Sequence, residues 1–572
     1  AQMVVPYIKG VQQNGVAACV KHYALNNQEK NRHTVNVNVD DRTLYEIYLP
    51  AFKAAVQEGK AWAIMGSYNR YKGQWCCQNE YLLNDILRGE WGFDGVVVSD
   101  WGGVNDTHQA IYNGLDMEFG SWTDGLAMGK TNAYDYYHLS NPFLHLLQSG
   151  EVKVEEVDKK VRNILRLAFR TTMDTKRPFG SFGTPEHAAA GRKIAEEGVV
   201  LLQNRNNLLP IDIEKTKKIV VVGENAIKMM TVGGGSSSLK AKYEISPLDG
   251  LKKRIGEAAE VVYARGYVGD ADGSYNGVTS GQDLTDSRSS EELIKEACDA
   301  AKDADIVFFM GGLNKSENQD CEGDDRISLG LPYDQDKLIG ELLKVNKNLA
   351  VILISGNAVA MPWVNEVPTI LQAWYLGTEA GNAIASILVG DANPSGKLPF
   401  TFPVQLSDNG AHKLGEYPGG EEITYNEGIF VGYRWIDKEK IKPLFSFGHG
   451  LSYTTFEYGK VSANKKEMTA EDQITFTVNV KNVGKVKGSE VVQLYITDKK
   501  SSLPRPVKEL KGFDKITLNP GEEKNVTFTI DKSALSYFDA DKHDWVAESG
   551  DFEALIGASS TDIRSKVVFK LK

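Results

Sequence analysis

Residues 95–101 read Gly-Val-Val-Val-Ser-Asp-Trp, an apolar, β-branched run that ends in a carboxylate and an aromatic side chain. Such a run indicates a strand that is buried on both faces, as in the parallel sheets of α/β proteins. In (β/α) barrels the active site lies at the carboxyl ends of the strands, which is where Asp100 and Trp101 are expected. Asp100 could instead be the N-cap of the next helix, and the run alone leaves both interpretations open.

Length and composition limit the class of protein. The chain has 572 residues, enough for three or four domains, and its 25% charged and 42% hydrophobic residues are typical of globular proteins. The net charge of −11 argues against nucleic acid or an anionic membrane as a partner, and no apolar run is long enough for a membrane span. The five cysteines are scattered and lack metal-ligand spacing. Neither the composition nor any motif predicts a metal or an organic cofactor.

Residues 1–175 alternate strand-like runs with helical patterns such as residues 44–58, which predicts part of a (β/α) barrel. The strand-like runs are residues 15–20, 61–67, 95–99 and 115–119. A closed barrel of this type has eight strands, so we interpret this region as the C-terminal half of a (β/α)8-type barrel. An open half would leave two unpaired edges, and we therefore expect upstream sequence or another chain to supply the other half.

Two further regions follow a predicted linker at residues 176–205. Residues 206–400 contain short apolar runs separated by helical stretches, which predicts a doubly wound α/β sandwich domain. Its strand-like runs are residues 218–222, 260–263, 305–310, 349–354 and 369–374. After a connecting segment at residues 401–455, residues 456–572 alternate apolar and polar side chains with turns between them, which is typical of an antiparallel β-sandwich.

Polar side chains gather at one edge of the sheet predicted for the first region. The first three runs are followed by Lys21-His22, Tyr68-Asn69 and Asp100-Trp101, the fourth contains Asp116-Met117-Glu118, and Arg32 lies in a loop. A carboxylate beside an aromatic ring suits a sugar, because the carboxylate can act on the anomeric carbon while the ring packs against C–H groups. Structural interpretations stay open, with His22 as a core histidine and Tyr68 as an aromatic residue at the barrel rim.

A second carboxylate is expected from the acidic segment 317–326, which follows the strand-like run 305–310. Its position beyond the carboxyl end of a strand favours a functional site, although an acidic loop is also typical of solvated surface. The segment 233–238 reads Gly-Gly-Gly-Ser-Ser-Ser and lacks the spacing of a phosphate-binding loop. We interpret it as a flexible loop that approaches a ligand hydroxyl.

A series of motifs runs along the whole chain. In the first region they are Lys21-His22-Tyr23-Ala24, Asn27-Gln28-Glu29 with Arg32, Met65-Gly66-Ser67-Tyr68-Asn69 and Val98-Ser99-Asp100-Trp101. In the second region they are Gly233-Gly234-Gly235-Ser236, Glu322-Gly323-Asp324-Asp325-Arg326 and the run 390–399. Residues 447–454 and 505–513 are the motifs associated with the sandwich. Together these motifs resemble glycoside hydrolase family 3, in its three-domain β-glucosidase form with a fibronectin-III-like domain.

The resemblance implies a role for each matched residue. Asp100 would be the catalytic nucleophile, and Trp101 would line the sugar subsite. Glu322 would be the general acid/base, with Glu317 and Asp320 of the same loop as alternatives. The substrate-binding residues would be Lys21, His22, Arg32, Met65, Tyr68 and Ser236. The family also supplies an Asp and an Arg from the first half of its barrel, and these have no match in this chain.

The implied activity is that of a retaining, exo-acting β-glucosidase, which removes terminal non-reducing β-D-glucosyl residues through a covalent glycosyl-enzyme on Asp100. β-Xylosidase or α-arabinofuranosidase activity of the same family and non-catalytic glycan binding are the alternatives. The expected partner is an oligosaccharide or a β-glucoside, with no cofactor, no nucleic acid and no membrane span. A homodimer and a periplasmic or secreted location are further expectations.

Overall fold

The structure is a computed structural model that describes residues 1–120, 135–177, 179–270 and 278–572. The chain forms two compact units. Unit 1 comprises residues 1–181, 414–429 and 537–544, and unit 2 comprises residues 182–413, 430–536 and 545–572. The domain boundaries given above stay predictions.

Strands occur throughout the described chain. The first twelve are β1 (Cys19–Tyr23), β2 (Asn36–Asn38), β3 (Ala63–Gly66), β4 (Arg70–Tyr71), β5 (Gln74–Trp75), β6 (Val96–Val98), β7 (Val200–Asn204), β8 (Lys218–Val222), β9 (Glu260–Ala264), β10 (Ile306–Gly312), β11 (Leu349–Ile354) and β12 (Thr369–Gln372). The later strands are β13 (Glu422–Thr424), β14 (Phe456–Tyr458), β15 (Ser462–Ala463), β16 (Glu467–Met468), β17 (Ile474–Asn482), β18 (Gly488–Asp498), β19 (Glu509–Leu518), β20 (Glu523–Ile530), β21 (Tyr537–Asp539), β22 (Asp544–Val546), β23 (Gly550–Gly557) and β24 (Ile563–Leu571).

Helices connect many of these strands. The longer α-helices are α1 (Val4–Gln12), α2 (Pro50–Gln57), α3 (Thr107–Tyr112), α4 (Asn141–Ser149), α5 (Val154–Arg170), α6 (Pro185–Gly198), α7 (Pro247–Ile255), α8 (Ser290–Ala301), α9 (Gln335–Val345), α10 (Ala380–Val389) and α11 (Tyr433–Glu439). Short α-helical turns occupy Asp41–Thr43 and Gly410–Lys413, and Leu44–Tyr48 and Tyr81–Glu90 are π-helical. In the part of the chain that the structure describes, no helix is both long and apolar enough to cross a bilayer.

The central sheet of unit 1 is parallel and has the strand order β1-β3-β6. Every residue of β3 and β6 is buried. Burial on both faces explains why these strands read as continuous apolar runs in the sequence. A second sheet of unit 1 has the order β13-β2-β4-β5.

Unit 1 includes two segments from much later in the chain. Strand β13 pairs in parallel with β2. The ring of Phe538 stacks on that of Tyr45 with centroids 4.1 Å apart, and the Phe538 N–H donates to Glu46 Oε1 at 2.9 Å across 492 positions of sequence. Unit 1 is therefore assembled from three segments that lie far apart in the sequence.

The fourth strand predicted at residues 115–119 is wrong. Met117 makes only an isolated parallel bridge to the end of β6. The side chain of Asp116 accepts the Val97 N–H at 2.8 Å, and this bond takes the place of a backbone bond of a regular ladder. The segment thus runs beside β6 without forming a strand.

Two other predictions for unit 1 need revised bounds. The first strand was expected at residues 15–20, whereas β1 begins at Cys19 and ends at Tyr23. Lys21 and His22 therefore lie within the strand rather than after it. The helix predicted at residues 44–58 is divided at Pro50, which begins α2, because proline has no N–H to continue the preceding helix.

The larger sheet of unit 2 has the order β7-β12-β11-β10-β8-β9. Strands β12, β11, β10, β8 and β9 are parallel to one another, which confirms the doubly wound α/β prediction. Strand β7 pairs antiparallel with β12 at the edge. Helix α6 and β7 both lie within residues 176–205, so most of the segment predicted as a linker is regular structure of unit 2.

Neighbouring residues of the parallel strands contribute to two different cores. Phe309 of β10 packs in one cluster with Leu338 of α9. Phe308, the adjacent residue, packs in the other cluster with Leu251 of α7. Because successive side chains of a strand alternate between faces, the sheet is covered by helices on both sides.

The remaining strands of unit 2 form a β-sandwich. One sheet has the order β14-β17-β15 with β20 also paired to β17, and the other has the order β16-β24-β23-β18-β19. Alternate residues along β17 are buried, and those buried side chains pack with residues of β18, β23 and β24 in one core. The period-two pattern seen in the sequence thus corresponds to a buried and an exposed face, and the predicted sandwich is confirmed.

We expect Phe308→Ala to lower the free energy of unfolding by about 3–5 kcal/mol, because the substitution leaves a cavity around a fully buried site of β10. Chemical denaturation followed by circular dichroism measures the change. Val568→Ala on β24 is the control, since Val568 is 53% exposed and its loss should cost no more than about 0.5 kcal/mol. Equal effects of the two substitutions would contradict this account of the core.

Candidate active site

Asp100 lies just beyond the carboxyl end of β6, and 8% of its surface is exposed. Its Oδ1 atom accepts the Trp101 N–H at 2.8 Å, and its Oδ2 atom lies 3.4 Å from His22 Nε2. The next helix, α3, is capped by Asp106, whose Oδ1 accepts the Gln109 N–H. The N-cap interpretation of Asp100 is therefore wrong, and its carboxylate is held at the strand end by a backbone donor beside an imidazole.

Tyr68 links Arg32 to this strand end. The Tyr68 hydroxyl donates to the Trp101 carbonyl at 2.9 Å, and the Arg32 guanidinium carbon lies 5.0 Å from the centroid of the Tyr68 ring, within cation–π distance. Arg32 Nη1 also lies 2.8 Å from Glu29 Oε2. Burial and the charge of Asp100 raise the pKa of Tyr68, so its hydroxyl remains a hydrogen-bond donor at neutral pH.

Trp101 provides an accessible aromatic surface, with 53% of it exposed. Its ring stacks on that of Phe119, with centroids 5.3 Å apart and planes inclined by 15°. A Cβ atom at Gly120 would overlap the indole, so the close approach of backbone and ring requires glycine there. A fixed, exposed indole of this kind can pack against the C–H groups of a sugar.

The other two predicted binding residues of unit 1 differ in exposure. Met65 is buried in β3 and packs against Val96 and Val98 of β6. Lys21 is exposed in β1, in the part of the strand where the pairing with β3 shifts register. Direct contacts join the remaining candidates of unit 1 into one group, which consists of His22, Arg32, Tyr68, Asp100 and Trp101.

The two acidic residues beside Met117 are engaged in structure. Asp116 Oδ2 lies 2.6 Å from Arg88 Nη2, and its Oδ1 accepts the Asn163 Nδ2–H of α5 at 2.8 Å. Glu118 accepts the Leu139 N–H at 2.8 Å, and burial raises the pKa of its carboxyl group. Asp116 therefore attaches α5 to the sheet. Asp100 is the acidic residue of this edge that precedes the exposed Trp101.

In unit 2, Glu322 is in contact with the glycine-rich segment. The Glu322 N–H donates to the Gly234 carbonyl at 2.7 Å, and the Ser236 N–H donates to Glu322 Oε2 at 2.5 Å. A Cβ atom at Gly235 would overlap the Glu322 side chain. Two motifs that lie far apart in sequence thus form one structure around the Glu322 carboxyl group, and Ser236 is exposed beside it.

Asp320 has a different environment from Glu322. Its carboxylate accepts the Gly356 N–H, the Asn357 Nδ2–H and the Tyr375 hydroxyl, each at 2.7 Å. Gly356 and Asn357 follow β11, and Tyr375 follows β12. Asp320 therefore ties the acidic segment to two strand ends of the sheet. Glu317, the other alternative in this segment, is exposed.

No metal cluster is found within the ranges that the structure describes, since no three His, Cys, Asp or Glu side chains are grouped to hold an ion. The cysteines are free thiols. Burial raises the pKa of Cys76 to about 11, and a thiol with such a pKa is protonated at neutral pH and is a weak nucleophile and metal ligand. The reactive groups around Asp100 are its own carboxylate, the imidazole of His22, the phenol of Tyr68 and, next to that phenol, the guanidinium of Arg32.

Several residues that position the candidates were not predicted in that role. They are Arg88, Phe119, Gly120, Asn163, Gly235, Asn357 and Tyr375. Asn357 and Tyr375 follow predicted strands of a parallel sheet, where ligand-binding groups collect, and that position was a usable signal. The roles of the other residues arise from contacts between distant parts of the chain, which the sequence pattern does not encode.

Three family descriptions match successive parts of the chain. The glycosyl hydrolase family 3 N-terminal domain matches residues 1–167, its C-terminal domain matches residues 199–453, and a fibronectin type III-like domain matches residues 490–560. They correspond to the barrel-like part, the doubly wound domain and the sandwich in turn.

Curated relatives and solved structures are similar along the whole chain. Beta-glucosidase BoGH3A of Bacteroides ovatus is 50% identical over 100% of this chain and 76% of its own length. Thermostable beta-glucosidase B of Acetivibrio thermocellus is 40% identical over 98% of this chain and 70% of its own. DesR, a beta-glucosidase from Streptomyces venezuelae solved in complex with D-glucose, is 31% identical with a TM-score of 0.88 and covers 99% of this chain and 83% of its own. The chain belongs to glycoside hydrolase family 3 and is a glycoside hydrolase.

Proposed function

We propose that the protein is an exo-acting β-glucosidase that removes terminal non-reducing β-D-glucosyl residues with retention of configuration. The observation that carries the proposal is the Asp100 carboxylate, which lies at a parallel strand end, 3.4 Å from His22 and bonded to the backbone N–H of Trp101, whose side chain is exposed. Two relatives named beta-glucosidases, at 50% and 40% identity, support a glucosyl substrate.

The reaction proceeds in two displacements. In the first, an Asp100 oxygen bonds to the anomeric carbon as the bond from that carbon to the leaving oxygen breaks, and Glu322 gives its proton to the leaving oxygen. In the second, a water oxygen bonds to the anomeric carbon, the water proton passes to Glu322, and the ester bond to Asp100 breaks. One glycosidic bond is hydrolysed, and both carboxyl groups return to their starting states.

Glu322 is preferred to its two neighbours as the general acid/base. Asp320 accepts three hydrogen bonds from residues that follow β11 and β12, and proton transfer at this carboxylate would disturb the attachment of its own loop. Glu317 is exposed, whereas a general acid needs a carboxyl group that is shielded and held in place. Glu322 is partly buried and held by backbone groups of the glycine-rich segment.

The remaining candidates bind the sugar in this proposal. His22 and Arg32 offer ring N–H and guanidinium donors to hydroxyl groups, and the indole of Trp101 packs against the C–H face. The Tyr68 hydroxyl, bonded to the Trp101 carbonyl, fixes the backbone beside Asp100. Lys21, Met65 and Ser236 complete the proposed set of substrate-binding residues.

We expect Glu322→Ala to lower the turnover of cellobiose by about 10²–10⁴-fold, the contribution typical of general acid catalysis. Azide should restore part of the rate toward nitrophenyl β-D-glucoside, whose leaving group needs little protonation. Glu317→Ala is the matched control from the same loop and should keep wild-type turnover. Near-normal cellobiose hydrolysis by Glu322→Ala, or a comparable loss in Glu317→Ala, would exclude this assignment.

Asp100→Ala should reduce glucoside hydrolysis to the background rate, because no side chain remains to form the ester. Mass spectrometry of the intact protein and of its peptides after digestion, following reaction with an activated 2-deoxy-2-fluoroglucoside, tests the intermediate directly. A covalent adduct on the peptide that contains Asp100 is expected in the wild type and in the control Asp85→Ala, whose site is exposed in unit 1. An adduct that persists in Asp100→Ala would assign the nucleophile elsewhere.

Gly235→Ala should lower turnover by up to about 10²-fold, the cost of a small misplacement of a catalytic group, because the new Cβ atom displaces Glu322. Gly330→Ala is the control, since a Cβ atom there meets only the Ser328 hydroxyl oxygen, at 3.5 Å. Steady-state kinetics with thermal melting separates this effect from loss of fold. Wild-type turnover in Gly235→Ala would show that the close contact does not position the acid.

A further inference from the structure

A cavity of about 380 Å³ lies within unit 2, in contact with both the doubly wound domain and the sandwich. Segment 449–456 forms much of its wall, and its charged or phenolic lining consists of Lys397, Tyr453, Tyr458, Glu490, Asp562 and Arg564. Its volume falls in the range of about 300–1,000 Å³ that is typical of small-molecule sites. None of the residues assigned to catalysis or substrate binding above lines it.

The charges around the cavity are already paired. Lys397 Nζ lies 2.7 Å from Glu490 Oε1, and Arg564 Nε lies 2.6 Å from Asp562 Oδ1. A charged ligand would have to compete with one of these ion pairs. A neutral ligand with many hydroxyl groups can instead use the remaining lone pairs and N–H groups of both pairs.

One polar group of the lining lacks a protein partner. The hydroxyl of Tyr458 is buried, and it makes no hydrogen bond to any residue that the structure describes. Burial raises the pKa of Tyr458, and the charges that act on this phenol belong to Glu490, Arg564 and Asp562, which line the same cavity. A buried hydroxyl without a partner costs about 1–3 kcal/mol, and a ligand hydroxyl would recover part of that cost.

Apolar side chains form another part of the wall. Pro210 and Leu451 line the cavity, and Leu451 is 41% exposed. A pyranose ring presents hydroxyl groups at its edge and C–H groups on its faces. The combination of balanced charges, an unpaired phenol and exposed apolar carbon matches both surfaces of such a ring.

We propose that this cavity is a second saccharide site, which binds one neutral sugar unit of an oligosaccharide between Tyr458 and Leu451 without cleaving it. The Tyr458 hydroxyl donates to a sugar hydroxyl, the Glu490 and Asp562 carboxylates accept from others, and Pro210 with Leu451 contacts the C–H face. Such a site would hold a glycan on the enzyme independently of the catalytic residues.

Isothermal titration with thiocellobiose, whose sulfur link resists hydrolysis, tests the proposal. Thr455→Trp fills the cavity from an exposed lining position. Glu457→Trp places the same side chain two residues away on β14, at an exposed site outside the lining. We expect Thr455→Trp to remove one binding event that the wild type and Glu457→Trp retain. Tyr458→Phe should weaken that event by about 2- to 12-fold, the loss of one hydrogen bond.

Three results would overturn the proposal. One is identical titrations of Thr455→Trp and Glu457→Trp with both variants folded by circular dichroism. The second is unchanged affinity in Tyr458→Phe. The third is binding of inorganic phosphate instead of thiocellobiose, with the same sensitivity to Thr455→Trp, which would make the cavity an anion site. Because the comparison does not use turnover, its outcome is independent of the proposed glucosidase activity.

Discussion

The three hydrogen bonds to the Asp320 carboxylate are the interaction on which the acidic segment depends. They join this segment to the ends of β11 and β12, and a hydrogen bond to a charged group contributes about 1.5–3 kcal/mol. Arg326 fixes the far side of the segment by donating to the carbonyl oxygens of Ala358 and Leu329. Glu322 lies between these two anchors, so its carboxyl group is held against the glycine-rich segment with little freedom.

In both units, one carboxylate stabilises the local structure and a nearby one is the candidate for catalysis. In unit 1, Asp116 is paired with Arg88 and Asn163 and secures a helix, while Asp100, sixteen positions earlier, stands beside the exposed indole. In unit 2, Asp320 secures the loop, and Glu322 follows two positions later. Each candidate for chemistry is thus placed by a neighbouring carboxylate that is itself committed to structure. The arrangement is consistent with preorganised groups that do not reorient during reaction.

The strands of the doubly wound domain could be predicted from sequence because their side chains are buried on both faces. The bounds predicted for β8 and β11 are those observed. Residues 115–119 read Leu-Asp-Met-Glu-Phe and were also expected to form a strand, yet the Asp116 side chain takes the place of one ladder acceptor there, and the hydrophobic pattern does not report such a replacement. Asp100 and Trp101 could be found from their place at a strand end, whereas the contact of Gly235 with Glu322 depends on the folded path of two loops.

Unit 1 takes strand β13 and the aromatic residue Phe538 from far along the chain. During synthesis, Asn36–Asn38 and Tyr45 leave the ribosome long before their partners, β13 and Phe538, have been made. Their edge and ring surface must stay exposed until these later segments have been made, and contacts of such high sequence separation form slowly. Chaperones are therefore expected to bind and protect these surfaces late in synthesis. Removal of residues 538–572 would delete Phe538 and leave unit 1 incomplete.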